Sequence, residues 1–308
     1  MSSRDRSDGH DQLMRPPRRR TLLRRFTAWV ERAHALRRWV EALRRRSAAV
    51  DASFEAIERD SDIGGAMLAG ALSYRLFVFA LPLAVFVISG VGLLASALDR
   101  EPASIGNSIG LAGMVTKQVA GASKGSSNWW VALSSLVVLV YAARVLLRAV
   151  AIVHALAWER SASSVKVRAR SLAVFGVVLA TQLGLVAAVG AVTNRRAVGE
   201  IVAVGAFVFA LGGLWLILSL HLPHGTARWA QLIPGSLFYA LGIVCVVLFN
   251  ALILDRLLQE KSSTYGALGI AAALLLGFFF AGRVIVGAAV VNVTLHERRQ
   301  DASGPGSG

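Results

Sequence analysis

Ile201–Leu222 reads IVAVGAFVFALGGLWLILSLHL, a run without a single Asp, Glu, Lys or Arg. A helix needs about 20 apolar residues to cross the hydrocarbon core of a bilayer, so this stretch predicts a transmembrane helix. Its neighbours have the same character. Residues 172–193 (LAVFGVVLATQLGLVAAVGAVT) and 232–254 (LIPGSLFYALGIVCVVLFNALIL) also carry no charged side chain. Working outward, three further apolar runs appear at 64–98, 129–158 and 266–294. The 129–158 run is bracketed by Trp129-Trp130 and Trp158, an aromatic belt at each end. The 64–98 run is long for one perpendicular crossing and contains Pro82, so it predicts a kink or an interfacial first section. The fold class is therefore an all-α polytopic membrane protein with six transmembrane helices over 64–295.

Composition agrees. The chain has 308 residues, 55% of them hydrophobic, and a mean hydropathy of +0.59. Its net charge of +15 would point to nucleic acid in a soluble protein. Here the charge lies in tails and loops beside apolar runs, so anionic membrane lipid is the expected partner and nucleic acid is not. The single cysteine, Cys245, excludes an intrachain disulfide and a cysteine-based zinc site.

Residues 1–20 read as a disordered basic tail, with Pro16-Pro17 followed by Arg18-Arg19-Arg20. Over 21–63, Leu22, Phe26, Trp29, Ala33, Leu36, Val40 and Leu43 recur every three or four residues with arginines between them. This predicts a basic amphipathic helix, lying on an anionic membrane surface or packing as a solvated helix on its own loops. No apolar signal-peptide core precedes it, so the first run is expected to act as an uncleaved signal anchor. The 99–128 connection, rich in Gly and Ser, reads as a flexible or re-entrant external piece, and 296–308 as a disordered tail. The basic N-terminal segment and the 159–171 loop, with Arg160, Lys166, Arg168 and Arg170, predict both termini on the cytoplasmic side.

All 18 Asp and Glu lie outside the six runs, and the charges inside them are four arginines: Arg75, Arg144, Arg148 and Arg283. An intramembrane charge costs several kcal/mol unless paired, hydrated or able to reach the interface. Arg75, beside Tyr74, reads as interfacial. Arg144 and Arg148 are four apart and share one helix face, a credible site for a phosphate or carboxylate. Arg148 lies closer to the inner end, where it can instead snorkel outward. Arg283 lies mid-run. Asn250, Gln182 and Asn292 are uncharged candidates to support an anion site, or to make ordinary interhelical hydrogen bonds.

The patterns that would signal catalysis are missing. No carboxylate–histidine set converges on a metal, no phosphate loop ends in Lys-Ser/Thr, and no G-x-S-x-G elbow occurs. His221 and His224 form an H-x-x-H around Pro223, without an evident third ligand. His154 is the one titratable residue eligible for an intramembrane proton relay. No enzyme, metal or cofactor is expected, and the sequence fixes no oligomeric state.

The order of these features resembles the YihY/BrkB family of bacterial inner-membrane proteins, over roughly 60–296. The resemblance rests on Gly-Ala-Met-Leu-Ala-Gly-Ala-Leu-Ser-Tyr-Arg (65–75) leading to Leu81-Pro82-Leu83, then Tyr141-Ala142-Ala143-Arg144 and Trp158 with the basic loop to Arg170. Leu222-Pro223, Leu232-Ile233-Pro234-Gly235, Tyr265-Gly266 and Gly287-Ala288 complete the order. Where the family often has Gly-Ala-Glu, this chain has Gly287-Ala288-Ala289, and Asn292 falls one position late. The resemblance implies a six-helix inner-membrane protein tied to envelope integrity or virulence. The ribonuclease BN label that members have carried finds no catalytic residues here. Function is then expected to be handling or transport of an anionic lipid or small molecule through Arg144, Arg148 and Arg283. The alternatives are a non-transporting envelope scaffold and, remotely, a ribonuclease.

Overall fold

The computed structural model describes residues 41–42, 44–97, 129–192, 197–250 and 255–302. The expectations for 1–20, for 21–40, for 99–128 and for 303–308 lie outside the described residues. Apolar runs with no turn signal and no unsatisfied backbone group favour helix in a lipid environment, and helices follow in order. They are α1 (Ala48–Asp62), α2 (Gly65–Ala97), α3 (Trp129–Ala157), α4 (Ala169–Val192), α5 (Ala197–Ser219), α6 (Ile233–Phe249) and α7 (Asp255–Ala302). Single 3₁₀ turns occur at Ala162–Ser164 and Trp229–Gln231, and no strand occurs among the described residues.

Each expected run coincides with one of α2–α7. Gly65–Gly90, Trp129–Ala157 and Ala271–Ala302 are long and apolar enough to cross a membrane. Shorter apolar stretches, Ala169–Leu185, Gly205–Ser219 and Ile233–Phe249, belong to α4, α5 and α6. The last helix is much longer than the 266–294 run, 48 residues against an apolar centre, because Asp255–Gly266 and His296–Ala302 continue the helix in polar sequence. α2 stays helical through Pro82.

The described chain divides into two compact units, Met1–Phe54 and Glu55–Gly308. In the first, Arg44 pairs with Asp51 (3.0 Å) and lies over the Phe54 ring, 5.2 Å from its centroid. The second contains the bundle.

α7 is the mast of that bundle. Val286, Ala288, Ala289, Val290 and Val293 are each 1% exposed or less, and α2, α3 and α6 pack on it. Small residues bring the axes together, as expected where lipid is as apolar as the side chains and packing decides association. A Cβ on Gly282 would sit 2.7 Å from the Ala69 carbonyl of α2. Nearby, the Ser73 hydroxyl donates to the Leu275 carbonyl at 2.7 Å. Against α6, a Cβ on Gly235 would lie 2.3 Å from the Ala288 carbonyl. Pro234 stands at the start of α6, and the Gly235 N–H has no intrahelical acceptor. It donates instead to Asn292 Oδ1 at 2.8 Å, in a site where Asn292 is 1% exposed. The asparagine therefore acts as an interhelical cap, the ordinary alternative to ligand binding.

At one end of the bundle, ion pairs tie residues 55–62 of α1 to α7. Glu55 accepts from Arg298, and Arg59 pairs with both Glu297 and Glu159. Arg283 donates through Nη1 and Nη2 to Asp60 Oδ1 (3.2 Å) and Oδ2 (2.8 Å). Arg283 therefore has an acidic partner, supplied from outside the runs. The runs do lack carboxylates, but α1 delivers one from just before the first of them. Gly65 makes room for it: a Cβ there would lie 2.0 Å from Asp60 Oδ1. The carboxylate thereby rests at the positive N-terminus of α2 as well as on the guanidinium. Side-chain exposure is 36% for Arg283 and 18% for Asp60. Asp60→Asn is expected to cost about 1–3 kcal/mol, below the range for a fully buried pair because both partners touch solvent. Arg283→Gln in the same chain should restore part of that loss in a double-mutant thermal-unfolding cycle. Strict additivity would show that the pair contributes nothing.

α3 ends in a Schellman motif. The Arg160 N–H donates to the Ala155 carbonyl (2.7 Å) and the Glu159 N–H to the Leu156 carbonyl (3.0 Å), with Glu159 at φ 52°. A glutamate in this left-handed position costs roughly 1 kcal/mol relative to glycine. Its pair with Arg59 is exposed, the Glu159 side chain being 80% accessible, and contributes little. Glu159→Gly is therefore expected to leave stability unchanged or to raise it by up to about 1 kcal/mol in thermal unfolding. A clear loss would assign the Arg59 contact a larger share.

Candidate functional site

The Schellman turn sends the chain sideways from the end of α3. Arg160 follows, then the 3₁₀ turn and an extended segment, and α4 begins at Ala169. At the same end, α5 stops at Ser219 and the chain turns through His221-Leu222-Pro223-His224-Gly225. Gly225 is at φ +62°, and a Cβ there would meet the Trp158 ring at 2.8 Å, so the turn folds directly onto the end of α3. It is held from behind as well. The Arg228 N–H donates to Gln231 Oε1 (2.8 Å), which also accepts from His296 Nδ1 of α7 (3.1 Å). The Gln300 amide donates to His296 Nε2 (2.9 Å), and the Trp158 and His296 rings are 5.2 Å apart.

Between these two segments lies a pocket of about 740 Å³. Its rim carries Arg160, Lys166, Arg168, Arg170, His221 and His224, and no Asp or Glu lines it. Its apolar wall is Leu147 and Ala151 of α3 with Val165, Leu220 and Leu222. None of the four rim cations makes an ion pair with a described residue. Four cations converge without a carboxylate, a self-repelling arrangement that an anion relieves. The first turn of α4 adds to it: its amide N–H groups lack intrahelical acceptors and the helix dipole is positive there, yet Arg168 and Arg170 occupy this end. Both imidazoles are oriented by the backbone. His221 Nδ1 donates to the Ile217 carbonyl (2.9 Å) and His224 Nδ1 to the Leu222 carbonyl (2.7 Å), leaving each Nε2 free of these bonds.

The arginines singled out from sequence do not share a site. Arg144 and Arg148 are exposed, on one stripe of α3 with Val137 and Tyr141, 64% and 71% exposed. Arg144 faces outward because Ala143, Leu147 and Val150 fill the packed side of the helix. Arg283 is occupied by Asp60. Arg75 and Tyr74 are likewise exposed. Of the supporting residues, Asn292 caps α6, and Gln182 hydrogen-bonds the Tyr239 side chain. Asn250 lies against Gly277, with its Oδ1 buried. His154 is buried, its Nδ1 donating to the Val150 carbonyl (3.1 Å) and its ring 5.9 Å from Trp215, which stacks on Tyr239 at 3.9 Å. No group of three His, Cys, Asp or Glu suited to a metal occurs among the described residues.

The pocket cations were visible in sequence only as orientation markers. Their partner segment, His221–Gly225, lies far along the chain, and the tertiary fold brings the two together. The usable signal was a dense basic loop and an H-x-x-H at what would be the same membrane face. Neither a curated protein nor a solved structure matches the chain. The apolar helices and the match of residues 56–307 to the family model described as Virulence factor BrkB agree on a membrane protein, and the chain belongs to the Virulence factor BrkB family.

Proposed function

We propose that this BrkB-family protein is a six-span bacterial inner-membrane protein that holds an anionic amphiphile in the basic pocket and moves or presents it without chemical change. The observation that carries the reading is the pocket itself: four cations, none in an ion pair with a described residue, around an apolar wall at one end of a helical bundle. Charge on the rim suits a phosphate or carboxylate, and the wall of Leu147, Ala151 and Leu222 suits the start of an acyl or prenyl chain. Basic pockets between membrane helices on the cytoplasmic side commonly take anionic headgroups. Both termini lie in the cytoplasm in this reading, which sets the pocket on the inner leaflet and ties the protein to envelope integrity. Arg144 and Arg148, on the outer stripe of α3, contact lipid phosphates of the surrounding leaflet as a secondary role.

The test is lipid selectivity of the purified protein in nanodiscs, read from immobilisation of spin-labelled phosphatidylglycerol against phosphatidylcholine. Preferential immobilisation of phosphatidylglycerol, weakening with salt, is expected. Equal immobilisation of the two lipids contradicts the reading and leaves a non-transporting scaffold as the alternative.

A further inference from the structure

The pocket holds more positive charge than a single phosphodiester can neutralise. A phosphodiester has one negative charge and two terminal oxygens. A phosphomonoester carries about −1.5 to −2 near neutral pH on three terminal oxygens. Arg160, Lys166, Arg168 and Arg170 present four cations with no carboxylate among the lining residues, and the first-turn amides of α4 add further donors.

The two histidines sharpen the distinction. Each Nδ1 donates to a backbone carbonyl, Ile217 for His221 and Leu222 for His224, so Nε2 is the ring atom left for a ligand. In this tautomer Nε2 accepts a hydrogen bond. A monoanionic phosphomonoester has a P–OH to donate, and transfer of that proton to Nε2 gives an imidazolium beside a dianion, with charge and atoms balanced. A phosphodiester has no P–OH and cannot make this contact.

Building on the anionic-amphiphile reading above, we infer that the pocket selects a terminal phosphate, a phosphomonoester or pyrophosphate, over a phosphodiester, with His221 and His224 as the discriminating side chains. The shared chemistry is the terminal phosphate, whether it is borne by a lipid headgroup or by a soluble metabolite.

The experiment compares phosphatidic acid with phosphatidylglycerol at equal mole fraction in phosphatidylcholine nanodiscs, using the full chain and His221→Gln/His224→Gln. Wild type is expected to bind phosphatidic acid about tenfold more tightly, the value of one charge-assisted hydrogen bond. The double variant should lose most of that preference, the ratio of its affinities for the two lipids falling toward one. Competition by soluble glycerol 3-phosphate would support a free phosphomonoester as ligand. Its failure to compete, with the phosphatidic acid preference intact, would support a lipid-borne one. Equal binding of the two lipids by wild type overturns the inference while leaving the anionic-amphiphile reading standing. An undiminished preference in the double variant overturns the role of the histidines. Binding of neither lipid above phosphatidylcholine overturns both.

Discussion

Gly235→Ala is expected to prevent assembly of the bundle. The added methyl would lie 2.3 Å from the Ala288 carbonyl oxygen and 2.5 Å from the Asn292 side chain. Neither obstacle can rotate away cheaply. The carbonyl is fixed in the α7 hydrogen-bond ladder, and Asn292 is held by the Gly235 N–H it accepts. Moving α6 outward to make room would break that bond and strand a buried donor, a further cost of about 1–3 kcal/mol. The whole change is expected to exceed about 3 kcal/mol, beyond ordinary overpacking because backbone rather than a flexible side chain is met. The readout is the yield of monodisperse protein in detergent and its unfolding temperature. Gly176→Ala is the matched control, since nothing lies within 4 Å of its Cβ position. That variant should be neutral or slightly stabilising, because alanine favours a helix interior by about 1 kcal/mol over glycine.

The second large effect concerns binding. Lys166→Gln/Arg168→Gln/Arg170→Gln removes three of the four rim cations without shrinking the pocket greatly. Each cation near an anionic headgroup contributes roughly 1 kcal/mol, so affinity for anionic lipid should fall by about 100-fold. All three side chains are exposed and unpaired with described residues, so the triple variant should fold as wild type does. The loss should also flatten the salt dependence, since fewer fixed charges remain to be screened.

Much of the fold was legible because hydrophobic length is a strong signal. The uncharged runs 172–193, 201–222 and 232–254 became α4, α5 and α6, with ends shifted by only a few residues. The boundary of α7 was not legible. Its polar ends continue an established helix, and the C-terminal one pairs with α1 through Glu297 and Arg298, contacts between residues more than 200 apart in sequence. The site was read less well for a similar reason. Sequence shows that an arginine sits in an apolar run but not which way it points. The same depth of run held Arg283, neutralised by Asp60 from α1, and Arg144, turned outward on α3. Spacing did place Arg144 and Arg148 on one face, as the structure shows, yet that face is not a pocket wall. The pocket instead joins two loops, each ordinary alone.

The comparison that bears most directly on the basic pocket is phosphatidic acid binding, in nanodiscs, by three proteins: wild type, Lys166→Gln/Arg168→Gln/Arg170→Gln, and Arg144→Gln/Arg148→Gln. Phosphatidic acid affinity is expected to fall by about 100-fold in the pocket variant and by less than about threefold in the stripe variant. The reverse order, or wild-type affinity in the pocket variant, would contradict the placement of the anion between α4 and the α5–α6 turn.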